Sequence, residues 1–152
     1  QEHYCTAATQ LIMSQLYPLV FGGERTGETL LAACVAGELH ELGLRMVSDL
    51  FEMEGWDTYY LGANTPRRDM IEALSERRPR VLALSATITY HVGEVADFIA
   101  AVRDTDAGGE VRIIVGGYPF NVDRELWRKV GSDGWAPDAE GAVRVACELC
   151  GS

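Results

Sequence analysis

Apolar residues cluster along the chain in short continuous runs that alternate with longer amphipathic stretches. A run of about five apolar residues bounded by turn residues is typical of a strand buried in a parallel sheet. A stretch with apolar residues three and four positions apart is typical of a helix packed on such a sheet. The pattern predicts strands over residues 30–35, 56–61, 80–85, 111–115 and 134–136. It predicts helices over residues 44–54, 94–103, 123–130 and 138–149, with a further helix that begins at Pro66.

Strands and helices alternate five times, and the connections between them are short. Such connections join parallel strands through right-handed crossovers. We therefore predict an α/β protein with a flavodoxin-like (Rossmann-like), doubly wound, five-stranded parallel sheet in the order 2-1-3-4-5. In this order the first and third strands are neighbours, and ligands bind beyond their carboxyl ends, where the direction of winding changes.

A separate helical pattern precedes the sheet. The stretch from Glu2 to Tyr17 has apolar residues at helical spacing, at positions 8, 11, 12 and 16, and Pro18 ends the pattern. We predict a helical segment over residues 1–21, a glycine-rich linker over 22–28 and the α/β domain over 29–152. Because the chain starts at Gln1, inside the helical pattern, we expect a fragment of a longer protein, whose other domains would be its partners.

Three loops at the predicted carboxyl edge of the sheet carry candidate chemistry. Glu38 lies two residues before His40, so its carboxylate can hold the proton of one ring nitrogen and aim the other nitrogen at a metal. Ser85 and Thr87 follow the third strand, and Gly116-Gly117 follows the fourth. Each feature also has a structural explanation, since the acid could cap a helix, the serine could end a strand and the glycines could permit a turn.

Composition narrows the function classes. Thirteen basic and 23 acidic residues give a formal net charge of −10, which argues against direct nucleic-acid binding. No apolar stretch approaches the roughly 20 residues that cross a bilayer, and no signal segment opens the chain. Four cysteines agree with a reducing compartment, and Cys147 and Cys150 end a predicted helix rather than begin one, unlike a thioredoxin-type pair. We expect a cytoplasmic protein without membrane contact.

The three loops resemble the cobalamin-binding domain shared by methionine synthase, methylmalonyl-CoA mutase, corrinoid methyltransferase proteins and light-sensing B12 regulators. The hallmark of that family is DxHxxG, about forty residues, SxL, somewhat under thirty residues and GG. Here Glu38-x-His40-x-x-Gly43 is followed by residues 44–84, then Ser85-x-Thr87, residues 88–115 and Gly116-Gly117. The order and both spacings match, whereas Glu38 replaces the aspartate and Thr87 replaces the leucine.

The resemblance implies that cobalamin is bound with its own dimethylbenzimidazole displaced and with His40 as the lower ligand of cobalt. It implies that Gly43 lets the following helix begin close to the corrin. Ser85 would bond the displaced nucleotide tail, and Gly116-Gly117 would leave room for it. The other residues that we expect at the cofactor from this resemblance are Leu39, Glu41, Leu42 and Thr87. Thr89 and Tyr118 lie on loops that border the predicted crevice, so Thr89 could contact corrin amides and Tyr118 could flank the nucleotide, although ordinary loop packing explains Tyr118 equally well.

Two features resemble the light-sensing members of the family, the CarH and LitR photoreceptors. One is glutamate at position 38, and the other is Glu2-His3 at the start of the first helix, which corresponds to the last helix of a helical cap. By this resemblance Glu2 and His3 lie over the upper face of the corrin. A second tetrapyrrole chromophore beneath the cap stays an open alternative. A homodimer is compatible with such a cap, although no particular residue supports it.

Three functions follow, from different classes. The first is a sensory module, not itself an enzyme, in which light or ligand exchange at cobalamin regulates a partner domain. The second is a corrinoid carrier for a B12-dependent methyltransferase or mutase. The third is a flavodoxin-like domain that binds no corrin. His91 is interpreted separately, as a helix cap in preference to a residue that contacts corrin amides.

Overall fold

The computed structural model describes residues 8, 9, 11, 12 and 15, which are helical, and residues 24–151. The predicted site residues Glu2 and His3 lie outside the described residues. So do most of the predicted first helix and residues 22 and 23 of the predicted linker. Nowhere in the part of the chain that is described does a helix have the length and apolar composition that a bilayer crossing requires.

Five strands and six helices make up the described α/β domain. The strands are β1 (Thr29–Cys34), β2 (Asp57–Gly62), β3 (Val81–Ser85), β4 (Arg112–Gly116) and β5 (Gly134–Trp135). The helices are α1 (Leu42–Met53), α2 (Arg67–Arg77), α3 (Val92–Arg103), α4 (Tyr118–Val122), α5 (Leu126–Lys129) and α6 (Ala139–Cys150). Short 3-10 turns at Thr89–His91 and Asp106–Gly109 precede α3 and β4.

The strands form one parallel sheet in the order β2-β1-β3-β4-β5, which confirms the predicted topology. In the register of the three central strands, Cys34 lies opposite Ser85 and Ser85 lies opposite Gly116. Because these residues end their strands side by side, the loops that follow them share one edge of the sheet. That edge is where this fold binds its ligands.

Apolar side chains are buried on both faces of the sheet, which explains the continuous apolar runs. On one face, Leu30, Ala32 and Cys34 pack with α1 and α6. On the other face, Leu31 and Ala33 pack with α2, α3 and α4. Helices on both faces hold the central strands rigid, so the loops at their carboxyl ends are mounted on a fixed support.

The segment after β4 differs from the prediction of a loop over 116–119 and one helix over 123–130. Gly117 has a φ of +107°, and this backbone turns the chain from β4 directly into α4. Pro119 lies in the first turn of α4, where its missing N–H costs nothing, so the proline does not mark a loop. Asp123 is extended and separates α4 from α5, and its carboxylate accepts a hydrogen bond from the backbone N–H of Glu125.

Candidate functional site

The loop between β1 and α1 buries Glu38 and exposes its neighbours. The Glu38 backbone N–H donates to the Val35 carbonyl, and the Glu38 carbonyl accepts from the backbone N–H of Asn64. Asn64 also accepts a 2.8 Å hydrogen bond from the Gly37 backbone N–H through its side-chain oxygen. With the backbone fixed in this way, the Glu38 side chain is fully buried, whereas Leu39 is 70% exposed.

The buried Glu38 carboxylate is surrounded by N–H groups from two loops. Its Oε1 accepts from the His40 backbone N–H at 2.9 Å and lies 2.6 Å from His40 Nδ1. Its Oε2 accepts from the backbone N–H groups of Thr87 at 2.7 Å and Ile88 at 3.3 Å and lies 3.0 Å from His91 Nδ1. Burial by itself would raise the pKa of Glu38, but the hydrogen bonds from His40, His91 and Thr87 outweigh it and lower this pKa to about 2.

The ionised carboxylate determines which nitrogen of neutral His40 carries the hydrogen. A carboxylate only accepts hydrogen bonds, so Nδ1 of His40 donates to Glu38 and Nε2 keeps its lone pair. The His40 side chain is 56% exposed, which leaves Nε2 accessible to a ligand at the edge of the sheet. Glu38 has one methylene group more than the aspartate of the family motif, and its carboxylate contacts His40 Nδ1 directly.

A cavity of about 990 Å³ opens beside His40 and passes between α1 and α6 across β3 and β4. Its floor is made of small or branched apolar side chains, Ala83, Ile114, Ala136 and Ala142. Ala83 and Ile114 lie two residues before the ends of their strands, so the cavity reaches roughly 7 Å below the edge. The predicted site residues that line it are Leu39, His40, Glu41, Leu42, Gly43, Ser85, Thr87, Gly116 and Gly117.

Glu41 fixes the loop between β1 and α1 to the end of β2. Its Oε2 accepts hydrogen bonds from the Tyr60 hydroxyl at 2.9 Å and from the Ala63 backbone N–H at 3.0 Å. Burial, followed by the neighbouring Glu41, raises the pKa of Tyr60. Tyr60 therefore keeps its proton and acts as a donor that restrains the loop carrying His40.

Cys34, at the end of β1, does not compete with His40 as a soft metal ligand. Burial raises the pKa of its thiol to about 12, with smaller contributions from the charges of Glu38 and Glu41. The thiolate is the form that binds metals, and Cys34 is protonated at neutral pH. No group of three or more histidine, cysteine or acidic side chains converges as a metal site among residues 24–151 and the five described residues before them.

One exposed imidazole beside a deep apolar cavity fits a particular kind of metal group. A metal held by protein side chains alone needs three or four ligands, and the described residues supply no such set here. A corrin brings its own equatorial nitrogens and needs one axial ligand from the protein. The donor at His40 and the adjoining cavity therefore fit a corrin with a long substituent.

Three predicted residues lie away from the cavity or have a different role. Thr89 lies in the exposed 3-10 turn and Tyr118 is exposed at the start of α4, and neither side chain lines the cavity. His91 does occupy the N-cap position of α3, but its side chain makes no capping bond and instead lies buried against Glu38. Sequence reasoning also missed the backbone N–H groups of Thr87 and Ile88, because a motif of side chains does not show where amides point.

Two glycines at the site differ in the room that they leave for a side chain, so their alanine variants form a paired test. A Cβ on Gly117 would lie 2.1 Å from the Ala86 carbonyl oxygen at a φ of +107°, whereas a Cβ on Gly43 meets nothing within 4 Å. We expect Gly117→Ala to lower the free energy of unfolding by about 2 kcal/mol. Gly43→Ala should keep or raise it by up to about 1 kcal/mol, because alanine favours the helix. Urea denaturation of both variants measures this, and a Gly117→Ala protein as stable as wild type would contradict the strained turn.

Comparison with known proteins agrees with this geometry. The family model described as "B12 binding domain" matches residues 28–144. Dimethylamine corrinoid protein 3 of Methanosarcina acetivorans is 29% identical over 129 residues, which cover 84% of this chain and 59% of that protein. The chain thus spans under two thirds of the length of this relative. The predicted closeness to the light-sensing group is not supported by this relative, which is a corrinoid protein.

Solved structures show the same fold. The monomethylamine corrinoid protein of Methanosarcina barkeri has a TM-score of 0.79 at 23% identity, and the match covers 95% of this chain and 68% of that one. The methanol:cobalamin methyltransferase complex of the same organism gives a TM-score of 0.69 at 18% identity, covering 97% and 55%. Together with the family match over most of its length, these findings show that the chain belongs to the B12 binding domain family and that its cofactor is cobalamin, with its cobalt.

Proposed function

We propose that this chain is the corrinoid carrier domain of a methyl-transfer system, with His40 as the lower axial ligand of cobalt. The observation that carries the proposal is the 2.6 Å contact between His40 Nδ1 and the buried Glu38 carboxylate, next to a cavity of about 990 Å³. Cobalamin, when bound, would supply the cobalt that accepts and gives up the methyl group. The chain itself makes and breaks no bond of the substrate, and a partner methyltransferase catalyses the transfer.

The residues around the cavity have defined tasks in this proposal. Glu38 accepts a hydrogen bond from Nδ1 of His40, which orients the imidazole and makes the lone pair of Nε2 a stronger ligand for a metal. Ser85 and Gly116-Gly117 border the cavity that would take the nucleotide tail. Exposed Leu39 would lie against the corrin beside His40. Glu41 holds the loop through Tyr60 and Ala63, so His40 is positioned before the cofactor arrives.

The carrier role is favoured over the sensory role by the relatives. The proteins compared above are named as corrinoid proteins of dimethylamine and monomethylamine and as a methanol:cobalamin methyltransferase complex. The features that favoured light sensing were Glu38 and the pair Glu2-His3. Glu38 serves either role equally, because it reaches His40 directly. Glu2 and His3 lie outside the described residues.

Electron paramagnetic resonance of the chain loaded with cob(II)alamin tests whether the axial ligand of cobalt is a nitrogen of the protein. We expect the nitrogen splitting of the cobalt signal to change from a triplet to a doublet when the histidines carry ¹⁵N, because the axial nitrogen then belongs to the protein. His40→Ala should lose this response while the protein stays folded. A splitting unchanged by the label would mean that dimethylbenzimidazole remains bound, and the proposed ligation would be wrong.

A second measurement separates carrier from sensor. Methylcobalamin-loaded chain should donate its methyl group to a thiol acceptor when a corrinoid-dependent methyltransferase is added, and His40→Ala should slow this transfer. An absorption change of the adenosylcobalamin-loaded chain under green light, without methyl transfer in the first assay, would support the sensory function instead.

A further inference from the structure

The loop after β2 (residues 63–66) lies against the loop that carries His40, and Asn64 makes two of the hydrogen bonds between them. We propose that Asn64 is a positioning residue that fixes the turn from which Glu38 and His40 project. The inference rests on the proposed role of His40 as the lower ligand of cobalt. It adds to that role a residue of the loop after β2, which none of the three matched loops includes.

The first turn after β1 sets the direction in which Glu38 leaves the sheet. A hydrogen bond of 3.0 Å from the Glu38 backbone N–H to the Val35 carbonyl closes this turn. Gly37, its third residue, has a φ of +84°, whereas Ala36, its second residue, has a negative φ. A positive φ at the third position alone is typical of a type II turn. The path of the chain toward His40 therefore depends on the orientation of the peptide between Ala36 and Gly37.

Glycine by itself does not determine that orientation. A type I turn needs a negative φ at its third residue and a type II turn a positive one, and glycine adopts both readily. The two forms differ by a flip of the central peptide, which reverses the direction of the Gly37 N–H. In this structure that N–H donates to Oδ1 of Asn64 at 2.8 Å. The Asn64 side chain thus selects one of the two forms that Gly37 permits.

Asn64 is itself held in the conformation that this contact needs. Its backbone N–H donates to the Glu38 carbonyl at 2.8 Å, and the backbone N–H of the next residue donates to the carbonyl at the end of β1 at 3.2 Å. Its φ of +48° lies in the left-handed region, where asparagine and aspartate are enriched among residues with a side chain. The two bonds of Asn64 bracket Gly37 and Glu38, one on the N–H side and one on the C=O side.

Two variants separate the side-chain acceptor from the backbone conformation. Asn64→Gly keeps the left-handed backbone and removes the acceptor. Asn64→Asp keeps both, and its added charge is screened by solvent because residue 64 is exposed. In the cofactor-free chain, NMR should show hydrogen exchange of the Gly37 amide about fivefold faster in Asn64→Gly than in wild type, as the loss of one hydrogen bond predicts. Asn64→Asp should exchange at a rate close to that of wild type.

Cobinamide, a corrinoid without the nucleotide tail, gives the second readout, because its binding relies on the His40 loop and makes no use of a seat for the tail. Its affinity, measured by isothermal titration calorimetry, should fall about fivefold in Asn64→Gly, which corresponds to about 1 kcal/mol. Asn64→Asp should bind it nearly as tightly as wild type. Wild-type affinity in Asn64→Gly, or an equal loss in both variants, would overturn the inference.

Thr65→Val is the control for a merely structural effect. The Thr65 hydroxyl donates to the Gly62 carbonyl at 3.1 Å, which links the loop after β2 to its own strand. Valine has a similar shape without the hydroxyl, so this variant should lower the unfolding midpoint in urea and leave the cobinamide affinity and the Gly37 exchange rate unchanged. A loss of affinity in Thr65→Val equal to that in Asn64→Gly would mean that Asn64 acts only through the stability of its loop.

The proposed function and this inference fail in different ways. If ¹⁵N-labelled histidine leaves the electron paramagnetic resonance signal of wild-type chain loaded with cob(II)inamide unchanged, the proposed function fails, while the Gly37 exchange rates still report whether Asn64 fixes the turn. If the label changes the signal and Asn64→Gly binds cobinamide as tightly as wild type, only the inference about Asn64 fails.

Discussion

Replacing Glu38 with glutamine is expected to lower the free energy of unfolding of the cofactor-free chain by about 3 kcal/mol at pH 7. The buried carboxylate accepts hydrogen bonds on both oxygens from the N–H groups of His40, Thr87 and His91. Glutamine keeps the shape but turns one oxygen into an NH₂ group, which would face N–H donors. A buried donor without an acceptor costs about 1–3 kcal/mol, and the lost charge-assisted bonds add to this.

The pH dependence of this difference follows from the pKa of Glu38, which is lowered from 4.5 to about 2 in the folded chain. A lowered pKa stabilises the folded state above the unfolded value, and that contribution disappears as pH falls from about 4.5 toward 2. The stability gap between wild type and Glu38→Gln should therefore be full at pH 7 and narrow progressively below pH 4.5. A shift of this size corresponds to about 3 kcal/mol, which agrees with the expected gap.

Chemical denaturation at pH 7, 5, 4 and 3 measures the gap. Glu148→Gln is the charge-matched control, because Glu148 is an exposed residue of α6, and it should stay within about 0.5 kcal/mol of wild type. A gap between wild type and Glu38→Gln that does not change with pH would show that the N–H groups around Glu38 do not stabilise its charge.

The sheet was predictable because burial on both faces leaves a strong local signal. The apolar runs of β1, β3 and β4 sit within about one residue of their predicted bounds, and the order of the strands follows from the alternation with helices. The His40 loop was predictable for another reason. Its acid and its imidazole are two residues apart, so the chemistry is visible in one short segment, and the loop's place follows from the end of β1.

The parts that were not predictable depend on contacts between distant segments. His91 contacts Glu38 across 53 positions, and nothing in the residues around it indicates that the imidazole at this helix start is buried. The amides of Thr87 and Ile88 carry no side-chain signal at all. The start of α4 was mistaken for a loop because glycine and proline are turn residues on average, while here Gly117 supplies a positive φ and Pro119 begins a helix.

Filling the cavity with a larger side chain is expected to weaken the binding of intact cobalamin and to leave the binding of a corrinoid without the nucleotide tail nearly unchanged. Ala83 lies on β3, on the same face as Ser85, and forms part of the cavity floor beside Ile114. In Ala83→Leu the larger side chain would occupy the space that we propose for the nucleotide tail. The affinity for intact cobalamin should fall about 100-fold, or about 2.7 kcal/mol, because an overfilled apolar site costs about 1–3 kcal/mol. Cobinamide, which has no nucleotide tail, should bind within about threefold of wild type.

The matched control for this variant is Ala32→Leu. Ala32 is paired with Ala83 in the sheet and belongs to the same apolar cluster, but it does not line the cavity. A leucine there has no free space, so the cofactor-free chain should lose about 1–3 kcal/mol of stability, whereas Ala83→Leu should lose little because the cavity accepts the side chain. Isothermal titration calorimetry with both corrinoids measures the affinities, and urea denaturation of both variants measures the free energies of unfolding. Equal losses of affinity for cobalamin and cobinamide in Ala83→Leu would mean that the tail lies elsewhere, since only a tail seated between α1 and α6 makes the two corrinoids respond differently.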